Sequence, residues 1–221
     1  MITSMRRKGS LLRELPILVV IALVASLLIK TFLVQFFYIP SGSMENTLQV
    51  KDRVAVNKVP FLSRNIARGD VVVFRDPAGW LPEITDYSTN KYVAKLKTGL
   101  VAVGVLPNPA KQYLVKRVIG VGGDRVVCCD KAGLLTVNGK AITEPYIFAG
   151  NKPSDMNFDV TVPKGKIWVM GDHRGASADS RYHQDDINKG FVPLSRVTGR
   201  VVAVIWPFKN LTYVPQINVL K

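Results

Sequence analysis

Tyr113-Leu114-Val115-Lys116-Arg117-Val118-Ile119-Gly120-Val121, followed by Gly122-Gly123-Asp124 and then Arg125-Val126-Val127, is the stretch that decides the fold. β-Branched and aromatic residues crowd the first run, a Gly-Gly-Asp turn closes it, and a short apolar run returns, which is how two antiparallel strands read. The same signals recur outward from it. Arg53–Lys58 alternates, Asp70–Phe74 is a compact β-branched run ending at Asp76-Pro77, and Leu134–Val137 leads into the hairpin turn Asn138-Gly139. Lys166–Met170 stops at Gly171-Asp172, and Arg196–Trp206 closes the series. The expected fold class is mainly β, a set of antiparallel sheets. Ala78–Gln112 mixes polar, Gly and Pro residues, and Tyr92–Val105 within it is the one later segment with a helical period. It reads as an insert at 78–112 between two core strands, with surface-loop, lid and membrane-contact roles all open.

The N-terminus reads differently. Met1–Glu14 carries Arg6, Arg7, Lys8 and Arg13 against the single acid Glu14; Leu15–Ile29 is almost wholly apolar, and Phe32–Ile39 continues it after Lys30 and Thr31. About 20 apolar residues cross a ~30 Å hydrocarbon core, so residues 15–38 are expected as a transmembrane helix and Lys30 as an interfacial anchor that snorkels. A cleavable leader is disfavoured by the length of the run and by the lack of a clear small-x-small site after it. Basic residues before the span place 1–14 in the cytoplasm and 39–221, the main domain, on the outer side of the cell membrane.

The 221 residues hold 30 Lys+Arg against 16 Asp+Glu, a formal charge of +14. Such a balance suits nucleic acid or anionic lipid. No helix-turn-helix, zinc-finger or RNA-binding signature accompanies it, so membrane lipid is the expected partner and nucleic acid is not. Cys128 and Cys129 are adjacent. Neighbours on a strand point to opposite faces, so they are expected as packing residues rather than a disulfide. With only His173 and His183 to add, no metal site is expected at usual ligand spacings. No cofactor is expected either.

Three segments carry chemistry. In Tyr38-Ile39-Pro40-Ser41-Gly42-Ser43-Met44, a hydroxyl follows the apolar segment closely. Pro40 stiffens its approach and Gly42 lets backbone come near a substrate carbonyl. Ser43 can be a nucleophile if a base takes its proton, with Ser41 and the Ser43 amide as oxyanion donors. Ser-Gly-Ser is also an ordinary turn. Lys116 supplies the base: alternation puts it on the face of Leu114 and Val118. An aliphatic setting can lower a lysine from about 10.4 toward pH 8, whereas Arg117 stays protonated. The ordinary alternative is a lysine that snorkels out of a strand. Met170-Gly171-Asp172-His173-Arg174-Gly175-Ala176-Ser177-Ala178-Asp179-Ser180-Arg181 is a loop dense in short donors and acceptors. It could hold the amine through a hydroxyl and lock itself with an Asp–Arg pair, or be a solvated turn.

In this order, Ile-Pro-Ser-Gly-Ser-Met, Lys-Arg-Val-Ile-Gly-Val-Gly-Gly-Asp and Gly-Asp-His-Arg-x-x-Ser-x-Asp-Ser-Arg, the chain resembles the bacterial type I signal peptidases in their single-span form. The resemblance runs from the span to about Phe208, apart from the insert. It implies a membrane-bound serine endopeptidase with a Ser-Lys dyad that removes signal peptides from exported preproteins, with secretion machinery as a further partner. By position it makes Ser43 the nucleophile and Lys116 the general base. Ser41 becomes an oxyanion donor, Ser177 the serine that orients the lysine, and Asp179 and Arg181 a supporting ion pair. Ile39, Met44, Leu48 and Val115 would line shallow pockets for small substrate residues. Asn46 stands where the family often has Pro, Lys51 where it usually has Gly, and His173 where Asn is customary. Three alternatives stand beside it: a Ser-His hydrolase using His173, a self-cleaving Ser-Lys repressor, and an anchored β-domain without activity.

Overall fold

Residues 11–59, 66–82 and 112–220 are described in a computed structural model of the chain. The helical expectation at Tyr92–Val105 and residues 83–111 of the insert lie outside the described residues, as do 1–10 of the basic N-terminus. One long helix, α1 (Leu11–Phe32), precedes the strands β1 (Val34–Tyr38), β2 (Arg53–Asn57), β3 (Val71–Arg75), β4 (Tyr113–Val121), β5 (Arg125–Cys128) and β6 (Thr136–Val137). They continue as β7 (Lys140–Ala141), β8 (Phe158–Thr161), β9 (Lys166–Met170), β10 (Val192–Pro193), β11 (Val197–Trp206) and β12 (Thr212–Tyr213).

The larger sheet has eight strands in the order β1-β2-β11-β3-β4-β9-β10, with β12 paired to β11; the smaller has four, β7-β6-β5-β8. Every pairing is antiparallel. β4 is an inner strand, paired with β3 and β9, and of the seven residues from Leu114 to Gly120 all but Val115 are buried, Lys116 and Arg117 among them. A strand covered on both sides reads as a continuous apolar run rather than a clean alternation. Val72 pairs with Lys116 and Val71 with Arg117 on one side of β4, and Met170 pairs with Arg117 on the other. The turn at Gly122-Gly123-Asp124 then passes the chain to the second sheet, and the Asp124 carboxylate takes the Val121 amide at 2.8 Å. Between the sheets, Trp168 is fully buried with Phe158 and Phe191 against its ring. This cluster also holds Ile119, Val126, Leu135 and Val137.

Two expectations are corrected here. The helix expected over 15–38 ends at Phe32, and Val34–Tyr38 is the edge strand β1, in register with β2 from Val34↔Asn57 to Tyr38↔Arg53. Val34-Gln35-Phe36-Phe37-Tyr38 is as good a β sequence as it is an apolar one, and pairing with β2 satisfies its backbone. Among the described residues, no helix is long and apolar enough to cross a membrane. The second correction concerns Cys128 and Cys129, which form a disulfide. β5 ends at Cys128, so strand alternation does not extend to Cys129, and a cis peptide bond between them holds their Cα atoms 3.0 Å apart.

The loop from Pro40 to Val50 is closed at its neck. Ile39 donates to the Asp52 carbonyl at 2.9 Å and Lys51 donates back to the Ile39 carbonyl at 2.8 Å. Making that return, Lys51 adopts φ +75°, a left-handed conformation that costs a residue with a Cβ about 1–2 kcal/mol. Lys51→Gly should therefore raise stability by up to about 1 kcal/mol, after the greater freedom of glycine in the unfolded chain is deducted. Urea denaturation midpoints at constant m-value measure it.

Candidate active site

Ser43 lies in a single 3-10 turn, Gly42–Met44, inside the closed loop. Met44 at 1% exposure and Leu48 at 0% root this loop in the core with Ile39, and Val115 packs against the same cluster. The four residues named for substrate pockets thus meet in one core cluster, with Ile39, Met44 and Leu48 buried. Ser41 precedes the turn in an extended conformation, exposed, and its hydroxyl caps no backbone group of the turn.

Lys116 comes to the same place from β4. Its Nζ lies 2.5 Å from Ser43 Oγ, a buried contact. The lysine is 4% exposed and the serine 8%. Burial lowers the amine to a pKa of about 8; the Asp179 and Asp172 carboxylates pull it back up, and Arg181 pushes it down again. Desolvation therefore outweighs two nearby carboxylates. Those carboxylates are already engaged. Asp179 is held by Arg181 through Nε–Oδ1 and Nη2–Oδ2 bonds of 2.9 Å each, with both side chains fully buried. It also accepts from the Gly171 amide at 2.9 Å and from Ser177 Oγ at 2.8 Å. Ser177 in turn crowds Gly171: a Cβ there would fall 2.3 Å from Ser177 Oγ and 2.5 Å from the Ser43 carbonyl. Only glycine allows the two loops to approach so closely.

Sequence reasoning missed a second buried cluster behind the first. Arg117 Nε and Nη2 bind Asp172 at 2.8 and 2.6 Å, and Nη1 binds the Gly69 carbonyl at 2.7 Å. Thr47 Oγ1 donates to Asp172 at 2.5 Å and accepts from Arg117 at 3.0 Å, which links the Ser43 loop to β4. The Tyr146 ring covers the guanidinium at 4.0 Å, and burial pushes its phenol well above the usual range. An arginine beside the lysine in a run this apolar was the available signal, since a guanidinium there needs a partner. His173 has other engagements: its ring stacks on Phe148 at 4.1 Å and Nδ1 faces Glu45 at 3.1 Å, while Ser43 Oγ faces Lys116. Among the described residues, no group of three or more His, Cys, Asp or Glu side chains is placed to hold a metal ion.

A desolvated amine bonded to a serine hydroxyl is an arrangement that can carry out acyl transfer by the serine–lysine route. A profile of the family described as signal peptidase, peptidase S26, matches residues 12–206, and the chain belongs to that family. It is 40% identical to the probable signal peptidase I of Mycobacterium leprae, over 91% of this chain and 78% of that one. It is 38% identical to signal peptidase I of Mycobacterium tuberculosis, over 96% and 78% respectively. The crystal structure of a signal peptidase I from Enterococcus faecalis aligns at a TM-score of 0.39 with 25% identity, over 61% of this chain and 95% of that one.

Two outcomes follow from the geometry. A lysine whose folded pKa of about 8 lies below its ordinary 10.5 weakens the fold fully below pH 8, and the burden lifts as pH rises toward 10.5. Lys116→Met should accordingly stabilise the protein at pH 7 by up to about 3 kcal/mol, the gain disappearing near pH 10.5; denaturation across pH measures it. Asp172→Ala strands Arg117 in the interior and should cost about 3–5 kcal/mol in the same assay.

Proposed function

We propose that this chain is a membrane-anchored serine endopeptidase that removes signal peptides from exported preproteins with Ser43 as nucleophile and Lys116 as general base. The observation that carries the reading is the buried 2.5 Å contact between Lys116 Nζ and Ser43 Oγ, with family membership behind it. An extended segment of the preprotein pairs with exposed strand backbone and sets a small side chain over Ile39, Met44, Leu48 and Val115. Neutral Lys116 takes the hydroxyl proton as Ser43 Oγ attacks the carbonyl carbon. The oxyanion forms against the Ser43 amide and the Ser41 hydroxyl, which is exposed and uncommitted. Lys116, now charged, gives its proton to the departing amine; it then takes one from the water that attacks the acyl ester, and passes it to Ser43 Oγ as the ester bond breaks. Ser177, Asp179 and Arg181 hold the site around the amine.

The anchor is α1. Leu15, Ile17, Leu18, Val19, Val20, Ile21, Leu23 and Val24 are each at least half exposed, a continuous apolar surface that calls for lipid. The basic residues ahead of it suit the anionic head groups at the surface of that lipid. Phe36, Tyr38, Trp206, Phe208 and Tyr213 are exposed on the domain, residue types that settle at a lipid–water interface.

The test is cleavage of a preprotein by the purified protein in detergent, with the cut mapped by mass spectrometry. Cleavage should follow a small residue. Ser43→Ala and Lys116→Ala should each lower kcat by at least about a thousandfold. For wild type, kcat/KM should rise with pH through about 8, where Lys116 becomes neutral. Near-normal turnover by Lys116→Ala would sink the dyad.

A further inference from the structure

Glu45 ends the 3-10 turn that carries Ser43, its amide donating to the Gly42 carbonyl at 2.9 Å. Its carboxylate folds back over the turn: a Cβ on Gly42 would meet Glu45 Cδ and Oε2 at 2.9 Å. On its other side, Oε2 lies 3.1 Å from His173 Nδ1. The imidazole is itself held, stacked on Phe148 with centroids 4.1 Å apart and planes 16° from parallel. Phe148 is fixed by its amide, which donates to the Asp172 carbonyl at 2.9 Å. His173 touches the nucleophile loop a second time, its own amide donating to the Ser43 carbonyl at 3.2 Å. Phe148, His173, Glu45 and Gly42 thus form a row of contacts ending on the backbone beside Ser43.

The neighbouring charges leave Glu45 as the carboxylate this ring faces. Asp172 is bound to Arg117 and Thr47, and Glu144 to Arg174 and Tyr146. Arg174 spends its remaining donors on the Gly171 and Pro153 carbonyls. The two side chains are 21% and 29% exposed, so the pair lies at the rim of the site and outside the core.

We propose that the Glu45–His173 hydrogen bond positions the nucleophile: it clamps the Gly42–Met44 turn to the loop 171–177, so that hydroxyl and amide keep their places while the serine attacks. The inference rests on the peptidase reading above. Both neutral imidazole and imidazolium can carry a proton on Nδ1, so the clamp persists across the pH range in which Lys116 changes charge. A carboxylate acceptor strengthens it. His173 is here a positioning residue, acting through Glu45 and Ser43, and its ring is not the base.

Steady-state cleavage of a signal-peptide substrate by the full chain in detergent tests this, with four variants and melting temperatures. His173→Phe keeps a ring on Phe148 and removes the donor; His173→Asn places an amide nitrogen where Nδ1 was; Glu45→Ala removes the acceptor. The fourth variant combines Glu45→Ala with His173→Phe. His173→Phe and Glu45→Ala should each lower kcat about tenfold or more, with KM within about twofold and melting temperature unchanged, as expected when reacting atoms are displaced slightly. His173→Asn should recover most of the loss, and the double variant should be no worse than either single one, since both remove the same contact. The clamp is overturned if His173→Phe keeps wild-type kcat, if His173→Asn falls as far as His173→Phe, if the losses multiply, or if they track the melting temperature. Ser43→Ala and Lys116→Ala on the same substrate separate the two claims: should they still turn over, the peptidase reading itself fails, whatever the clamp variants do.

Discussion

A primary amine in a dry place is an unstable thing to build, and the placement of Lys116 governs the structure around it. Burial takes its pKa to about 8 against the pull of two carboxylates. Those carboxylates must be near enough to complete the loop and yet be occupied by other partners, which is what Arg181 and Arg117 provide. An unoccupied Asp172 or Asp179 beside the lysine would form the salt bridge itself and leave the amine protonated. The two guanidinium–carboxylate pairs keep the lysine without a counterion of its own.

The closed loop complements this from the other side. Ile39, Met44 and Leu48 sink into the core while the serine between them stays within reach of the amine. The neck at Ile39, Lys51 and Asp52 fixes both ends, and Thr47 ties the middle to Asp172. A hydroxyl on so short a turn has little freedom, which suits a nucleophile that must meet its base with small displacement.

Much of this was legible in the residues. Tyr113–Val121 and Lys166–Met170 have the strand bounds read from the sequence, and Arg53, Asp70 and Arg196 mark three other starts to within one residue. Their β-branched density leaves few other choices. β1 was misread because an apolar run records only that water is excluded, not whether lipid or a neighbouring strand excludes it; register with β2 decided the matter. β7, β10 and β12 have two residues each, too few for any periodicity. Arg117–Asp172 and Glu45–His173 join residues 55 and 128 positions apart, and such pairings exist only once the sheet has brought the loops together. Cys128 and Cys129 failed for a local reason, the end of β5 between them.

The junction between α1 and the sheet consists of Leu33 alone, because the helix ends at Phe32 and the first strand begins at Val34. That strand is about 17 Å long at ordinary strand rise, paired along its whole length, with Ile39 and then Pro40 after it. The helix is therefore joined to the nucleophile by a stalk and not a leash. Ser43 thus keeps a set distance from the end of the helix, and whatever holds the helix also sets the height at which a peptide bond must be offered for attack.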